Sequence, residues 1–165
     1  MFHLELKGVA LDAYNKMVRA MVSKASRELG LGEDGLVIRP LRPEDIGLTA
    51  PAWSLNCTSA NSWNTVIDSK TIADNRFVGI NGVFHAEGAG EATQVKITRK
   101  GSVARYWDVT WIRNTQNKIA YADDPIILDQ NTTITVEIYC TSASTLTDFG
   151  FIGAVVEKRG LLINP

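Results

Sequence analysis

RPLRPEDIGLTAP, residues 39–51, separates two stretches with different hydrophobic periods. Upstream, apolar residues return every three or four positions; downstream they alternate, so a helical segment precedes a β domain. The seam itself is extended, because Pro40, Pro43 and Pro51 each lack a backbone donor and bias the residue before them away from helix. Yet Leu36, Val37, Ile38, Leu41, Ile46 and Leu48 make the whole stretch after the helix, residues 30–51, too apolar for a solvated tether. An extended segment of that kind must lie on a surface, its own or a partner's. The expected organisation is an N-terminal helical arm and Pro-rich connector (residues 1–50), then a β-sandwich domain with a C-terminal tail (residues 51–165).

In the arm, Tyr14, Met17, Val18, Met21, Val22, Ala25 and Leu29 fall on one face of a helix over residues 12–29. Lys16, Arg19, Ser23, Lys24 and Arg27 lie largely elsewhere. Asp12 is placed to cap the first turn, Gly30 to end the last one in the left-handed conformation, and Arg27 to suit the dipole. Asp12 and Glu28 dilute the basic charge, which favours packing on protein over a membrane surface or nucleic acid. The arm is expected to be dispensable for the fold of the β domain.

Beyond the seam, strand-like runs bounded by turn residues occupy 53–57, 63–72, 76–84, 93–99, 103–113, 118–122, 125–128, 133–139 and 149–157. Ile134, Val136 and Ile138 alternate with Thr133, Thr135 and Glu137, so one face of that strand is buried. The same reading puts Val103, Trp107, Val109 and Trp111 on a core side. No helical stretch fit for a parallel crossover intervenes. The fold class is therefore mainly β, an antiparallel two-sheet sandwich of jelly-roll type, with an N-terminal amphipathic helix and extended arm. One run is apolar on both faces, with Phe149, Phe151 and Val155 opposite Ile152, Ala154 and Val156. Its outer face needs cover, from the N-terminal helix or from another subunit.

Composition excludes several function classes. The 165 residues are 45% apolar with net charge −1, and charges of both signs are interspersed, so no broad basic footprint for nucleic acid exists. No secretory signal or ~20-residue apolar span is evident, which implies synthesis in the cytosol. Cys57 and Cys140 read as small buried hydrophobes, with a disulfide between them as the alternative. The two histidines, His3 and His85, lie in different regions. No nucleophile, phosphate-loop or zinc pattern occurs, and the acids Glu87, Glu91, Asp123, Asp124 and Asp129 match no ligand spacing. The chain is expected to be no enzyme, with no cofactor and no metal. Among the tryptophans, Trp53 and Trp63 sit amid Asn, Ser and Thr and are candidates for stacking on a sugar ring.

As an arrangement, the helical arm, the Pro-rich connector, the Thr- and Asn-rich sandwich and the short apolar tail (159–165) resemble virion structural proteins of double-stranded DNA viruses of bacteria or archaea. Single jelly-roll capsid proteins and capsid-decoration proteins share this plan. The resemblance implies a homo-oligomer, commonly a trimer, assembled in the host cytoplasm and bound to other capsid proteins in the virion. Met17, Met21, Ile38, Leu41, Ile46, Phe149, Ile152, Val156, Leu161 and Leu162 would then form the assembly interface. A carbohydrate-binding β-sandwich is the alternative, with Trp53 and Trp63 stacking on the ligand.

Overall fold

A computed structural model describes residues 6–49, 52–85 and 92–161. Helix α1 spans Val9–Leu29, and α2 is a single turn at Val109–Arg113. The strands are β1 (Leu36–Pro40), β2 (Ser54–Cys57), β3 (Ser62–Thr71), β4 (Arg76–His85), β5 (Ala92–Arg99), β6 (Ser102–Asp108), β7 (Ile119–Leu128), β8 (Thr133–Cys140) and β9 (Ser144–Lys158). They form two antiparallel sheets, one ordered β1-β9-β4-β7 with β2 also on β9, the other β3-β8-β5-β6. The orders 2-9-4-7 and 3-8-5-6 are those of a jelly roll, as the sequence predicts.

The central strand β9 organises the first sheet. Its 15 residues pair with β4 along one edge, from Arg76↔Glu157 to His85↔Phe149. Along the other edge they pair with β1 (Leu36↔Lys158 to Pro40↔Ala154) and, further on, with β2 (Ser54↔Asp148). Phe149, Phe151 and Val155 join the core between the sheets with Ile67, Val95, Val136 and Ile138. Ala154 and Val156 point the other way, into a second cluster with Phe77, Leu36 and the α1 residues Met17, Met21 and Ala25. The cover for the outer face is thus the chain's own helix. At Gly79 of β4, an added β-carbon would run into the sulfur atoms of Met17 and Met21, so the helix rests on bare backbone.

Several expectations are corrected by these contacts. The expected arm and connector, over their described residues 6–49, do not form an appendage, since α1 buries its apolar face on the first sheet and the connector supplies β1. Met17, Met21, Leu41, Ile46, Phe149, Ile152 and Val156 are all buried within the chain and are not surface available to a neighbour. Of the expected interface, Ile38 (50% exposed) and Leu161 (42%) stay open, and Leu162 lies outside the described residues. Helix α1 starts ahead of Asp12, with Gly8 at its N-cap; Asp12 sits in the first turn instead. Gly30 does end it, at φ 64° and ψ 29°. The alternation read through residue 113 stops at Asp108, whose side chain accepts a 2.9 Å hydrogen bond from the Trp111 backbone N–H and caps α2. That turn buries Val109 and Ile112 but swings Trp111 out to 64% exposure. A register shift in the β5–β6 pairing sets Val103 opposite Thr98, on the outer face, where it is 49% exposed.

The two cysteines form a disulfide that joins β2 of the first sheet to β8 of the second. This overturns the reading of both as free buried thiols; each ends a strand on its core-facing side, with Cα atoms 5.9 Å apart. Ionic pairing fastens the connector at a second point. Arg39 of β1 donates to Glu157 of β9 (Nε–Oε1, 2.9 Å) and to Asp45 in the Pro43–Ile46 turn (Nη1–Oδ2, 2.7 Å; Nη2–Oδ1, 2.6 Å). Arg76 of β4 reaches the same two acids at 2.9 and 3.3 Å, and the Arg42 backbone N–H donates to Asp45. Two guanidinium groups and two carboxylates thus balance in a buried tetrad that ties β1, β4, β9 and the connector turn.

Two outcomes follow for stability. The disulfide closes a long loop, with 83 positions separating its cysteines, so the Cys57→Ser/Cys140→Ser variant should lose about 2–5 kcal/mol in urea unfolding relative to the oxidised chain. In the tetrad, burial pushes the Glu157 carboxyl up, but hydrogen bonds and charge from Arg39 and Arg76 outweigh it and hold it below the usual carboxylate range. The stabilisation is therefore complete above the unfolded-state value of roughly 4.3 and drains away as pH falls through the lower folded value. The urea midpoint should drop with acidification in that window. Glu157→Gln should flatten the drop while costing about 3 kcal/mol or more at neutral pH, because the two guanidinium groups are then left to share the single charge of Asp45.

Candidate functional site

With α1 over the first sheet, the open surface of the sandwich is the outer face of β3-β8-β5-β6. Its side chains follow from the strand period. Ile134, Val136, Ile138 and Cys140 point inward on β8, so Thr135, Glu137 and Tyr139 point out; on β5 the inward Val95 and Ile97 leave Gln94, Lys96 and Thr98 outside. Strand register sets these into rows. Trp63, Tyr139, Gln94 and Asp108 lie across the sheet in one, and Thr65, Glu137, Lys96 and Tyr106 in the next.

The rings in these rows touch. Trp63 meets Tyr139 edge-on at 5.6 Å between centroids and Tyr106 at 6.1 Å, with interplanar angles of 72° and 60°. The Lys96 ammonium lies 4.7 Å from the centre of the Trp63 ring and is paired with Glu137 at 2.6 Å. Tyr106 is the most open of the three, at 58% exposure. It belongs to β6, the sheet's edge strand, which leads directly into α2 and the exposed Trp111. Val103 and Tyr106 thus lie on the outer face of this edge strand, and Trp111 is exposed on the turn that continues it.

The two candidate stacking tryptophans part company. Trp63 is on this face; Trp53 packs edge-on against Phe84 and Phe151 of the first sheet, at 6.5 and 5.8 Å, in the space left by the missing side chain of Gly150. Sequence reasoning missed Tyr106 and Tyr139. For Tyr139 the signal was present, since the alternation that buries Ile138 turns its neighbour outward.

Among the described residues, the titratable groups picked out in the sequence do not converge. Asp124 pairs with Arg105 at 2.5 Å, and that hydrogen bond and charge lower its carboxyl below the usual range. Asp129 lies beside α1, paired with Lys24 at 2.6 Å. His85 is buried on β4, while His3, Glu87 and Glu91 lie outside the described residues. Among the described residues no group of three or more His, Cys, Asp or Glu is disposed to hold a metal ion. Nor is any described helix long and apolar enough to cross a membrane. The face presents aromatic rings bordered by hydrogen-bonding groups.

No protein-family model matches the chain, and no relative is found among curated proteins. Among solved structures, the chain is similar to the C-terminal CBM6 of LamC, a marine laminarinase from Zobellia galactanivorans, at 10% identity and a TM-score of 0.33. The match covers 74% of this chain and 100% of that one. A likeness of that size carries no argument about what this sandwich binds.

Proposed function

We propose that the chain is a non-catalytic structural jelly roll, a capsid or capsid-decoration subunit that works by burying the β6–α2 margin against neighbouring copies or shell proteins. The observation that carries this reading is the exposure of Val103 and Tyr106 on an edge strand and of Trp111 on the helical turn that follows it, 49%, 58% and 64%. An edge strand has unpaired backbone groups on one side, and apolar side chains beside them make it a template for another chain. Tyr and Trp are also among the residues in which binding energy concentrates at protein interfaces. This margin replaces the connector as the source of association, because the connector's Leu36, Leu41 and Ile46 are spent on the chain's own core.

A carbohydrate-binding sandwich is the second reading. In its favour, Tyr106 is open and bordered by Lys96, Glu137, Gln94 and Asp108, which offer donors and acceptors to hydroxyl groups. Against it, the three rings meet at steep angles, and the Lys96 ammonium occupies a face of Trp63 that a pyranose would need.

Analytical sedimentation of the full chain over a wide concentration range, with Tyr106→Glu/Trp111→Glu beside it, separates the two. The wild type should form an oligomer, expected to be a trimer, or sediment with shell-sized particles. The variant should be monomeric with an unchanged far-UV spectrum. A wild type that stays monomeric and joins no particle would sink the structural reading. Glycan-array binding lost on Trp63→Ala or Tyr106→Ala would install the second.

A further inference from the structure

We propose that the groove between α1 and the β5–β6 turn is a binding site for a tetrahedral oxyanion, a phosphate or sulfate group carried by a small ligand. It shares no residue with the β6–α2 margin and stands or falls independently of it.

Three separate parts of the chain bring charge to this groove of about 440 Å³. Helix α1 supplies Lys24 and Arg27, three residues apart and so neighbours on one face. Arg99, at the end of β5, and Lys100, in the turn that follows, face them. Asp129, after β7, lies between the two lysines, 2.6 Å from the Lys24 ammonium and 3.9 Å from that of Lys100. Four cations thus line one groove that holds a single carboxylate, in a chain whose net charge is −1.

That concentration is the reason for the assignment. Folding sets the four positive groups in one concavity against their mutual repulsion, and Asp129 offsets only part of it. The surroundings hold the site in place. The Lys100 backbone N–H donates to the Thr133 carbonyl at 3.2 Å, and one Arg99 Nη donates to the Ile127 carbonyl at 2.9 Å. A guanidinium has five donors, so Arg99 keeps others to offer. Arg27 makes no ion pair among the described residues. The planar forks of Arg27 and Arg99 suit two oxygens of one tetrahedral anion, while the ammonium groups act as point charges. The volume falls in the range of small-ligand sites, so the group can be part of a larger molecule.

Calorimetric titration of the full chain with inorganic phosphate, and separately with sulfate, is the test, at constant ionic strength maintained with chloride. Saturable binding at one site per chain, with a rise in melting temperature, is expected for at least one anion. Comparable binding of both would assign the shared oxyanion chemistry, and a preference for phosphate would narrow the ligand to a phosphate ester. Arg27→Gln and Arg99→Gln should each weaken binding about tenfold or more, the equivalent of ~1.4 kcal/mol. Asp129→Asn should tighten it by removing the competing carboxylate. Arg19→Gln, on the same helix but outside the groove, should leave it unchanged. Heats no larger than those of chloride, or binding undiminished in both arginine variants, would overturn the proposal.

Discussion

Strand β9 imposes the constraint on which the rest of the architecture depends. Its residues are apolar on both faces and it lies inside its sheet, so it requires a second sheet beneath it, cover above it and a partner along each edge. A two-layer sandwich provides only the first of these faces. The N-terminal 57 residues meet the remaining demands, α1 by lying over Ala154 and Val156, and β1 and β2 by running along the edge left free by β4. The proline positions are consistent with this placement. Pro40 closes β1 and Pro43 opens the following turn, both sites where a ladder donor can be spared.

The tetrad of Arg39, Asp45, Arg76 and Glu157 adds register to that arrangement. Hydrophobic contact alone would fix β1 weakly, because a five-residue strand has few side chains with which to distinguish one pairing from the next. A slip of one residue would turn Arg39 to the opposite face, away from both acids. Two carboxylates and Arg76 would then be left short of a partner in a buried site, which costs far more than the intact network contributes. Its role is thus in specificity: it selects one placement of the connector over near neighbours of similar apolar burial.

What was legible in the sequence is what short-range period encodes. The helix, the alternation of β8 and the double-sided character of Phe149–Val156 all appear within windows of a dozen residues, and each is found in place. The features that escaped depend on contacts between distant positions. Residues 36–40 look like connector because their partner strand is more than 100 positions away, and the tetrad gathers residues 39, 45, 76 and 157. The disulfide needed the topology to bring β2 over β8. The turn at Val109–Arg113 failed for a different reason. Its apolar spacing suits a strand as well as a helix, and only the Asp108 side chain, capping the Trp111 N–H, decides between them. Trp63 and Trp53 were both singled out because tryptophan is conspicuous amid small polar residues, yet Trp63 lies on the outer face of the second sheet and Trp53 packs on Phe84 and Phe151. Local composition cannot tell an exposed ring from one filling the hollow over Gly150.

The helix leaves the two sheets unequal, and that inequality determines where recognition can occur. α1 and β1 spend their apolar surface on the first sheet, so a partner cannot reach the outer sides of Ala154, Val156 or Phe77 without lifting the helix. The second sheet has no such cover among the described residues, and its outer rows combine aromatic rings with Lys96, Glu137, Gln94 and Asp108. Its two ends differ in kind. The β6–α2 margin presents apolar rings beside unpaired backbone, while the β5–β6 turn presents cations toward α1. Binding at the proposed margin would be governed by buried area and shape, which salt scarcely affects, and binding at the proposed oxyanion groove by charge, which salt screens. Ionic strength is therefore the variable that tells which end of this sheet a given partner uses.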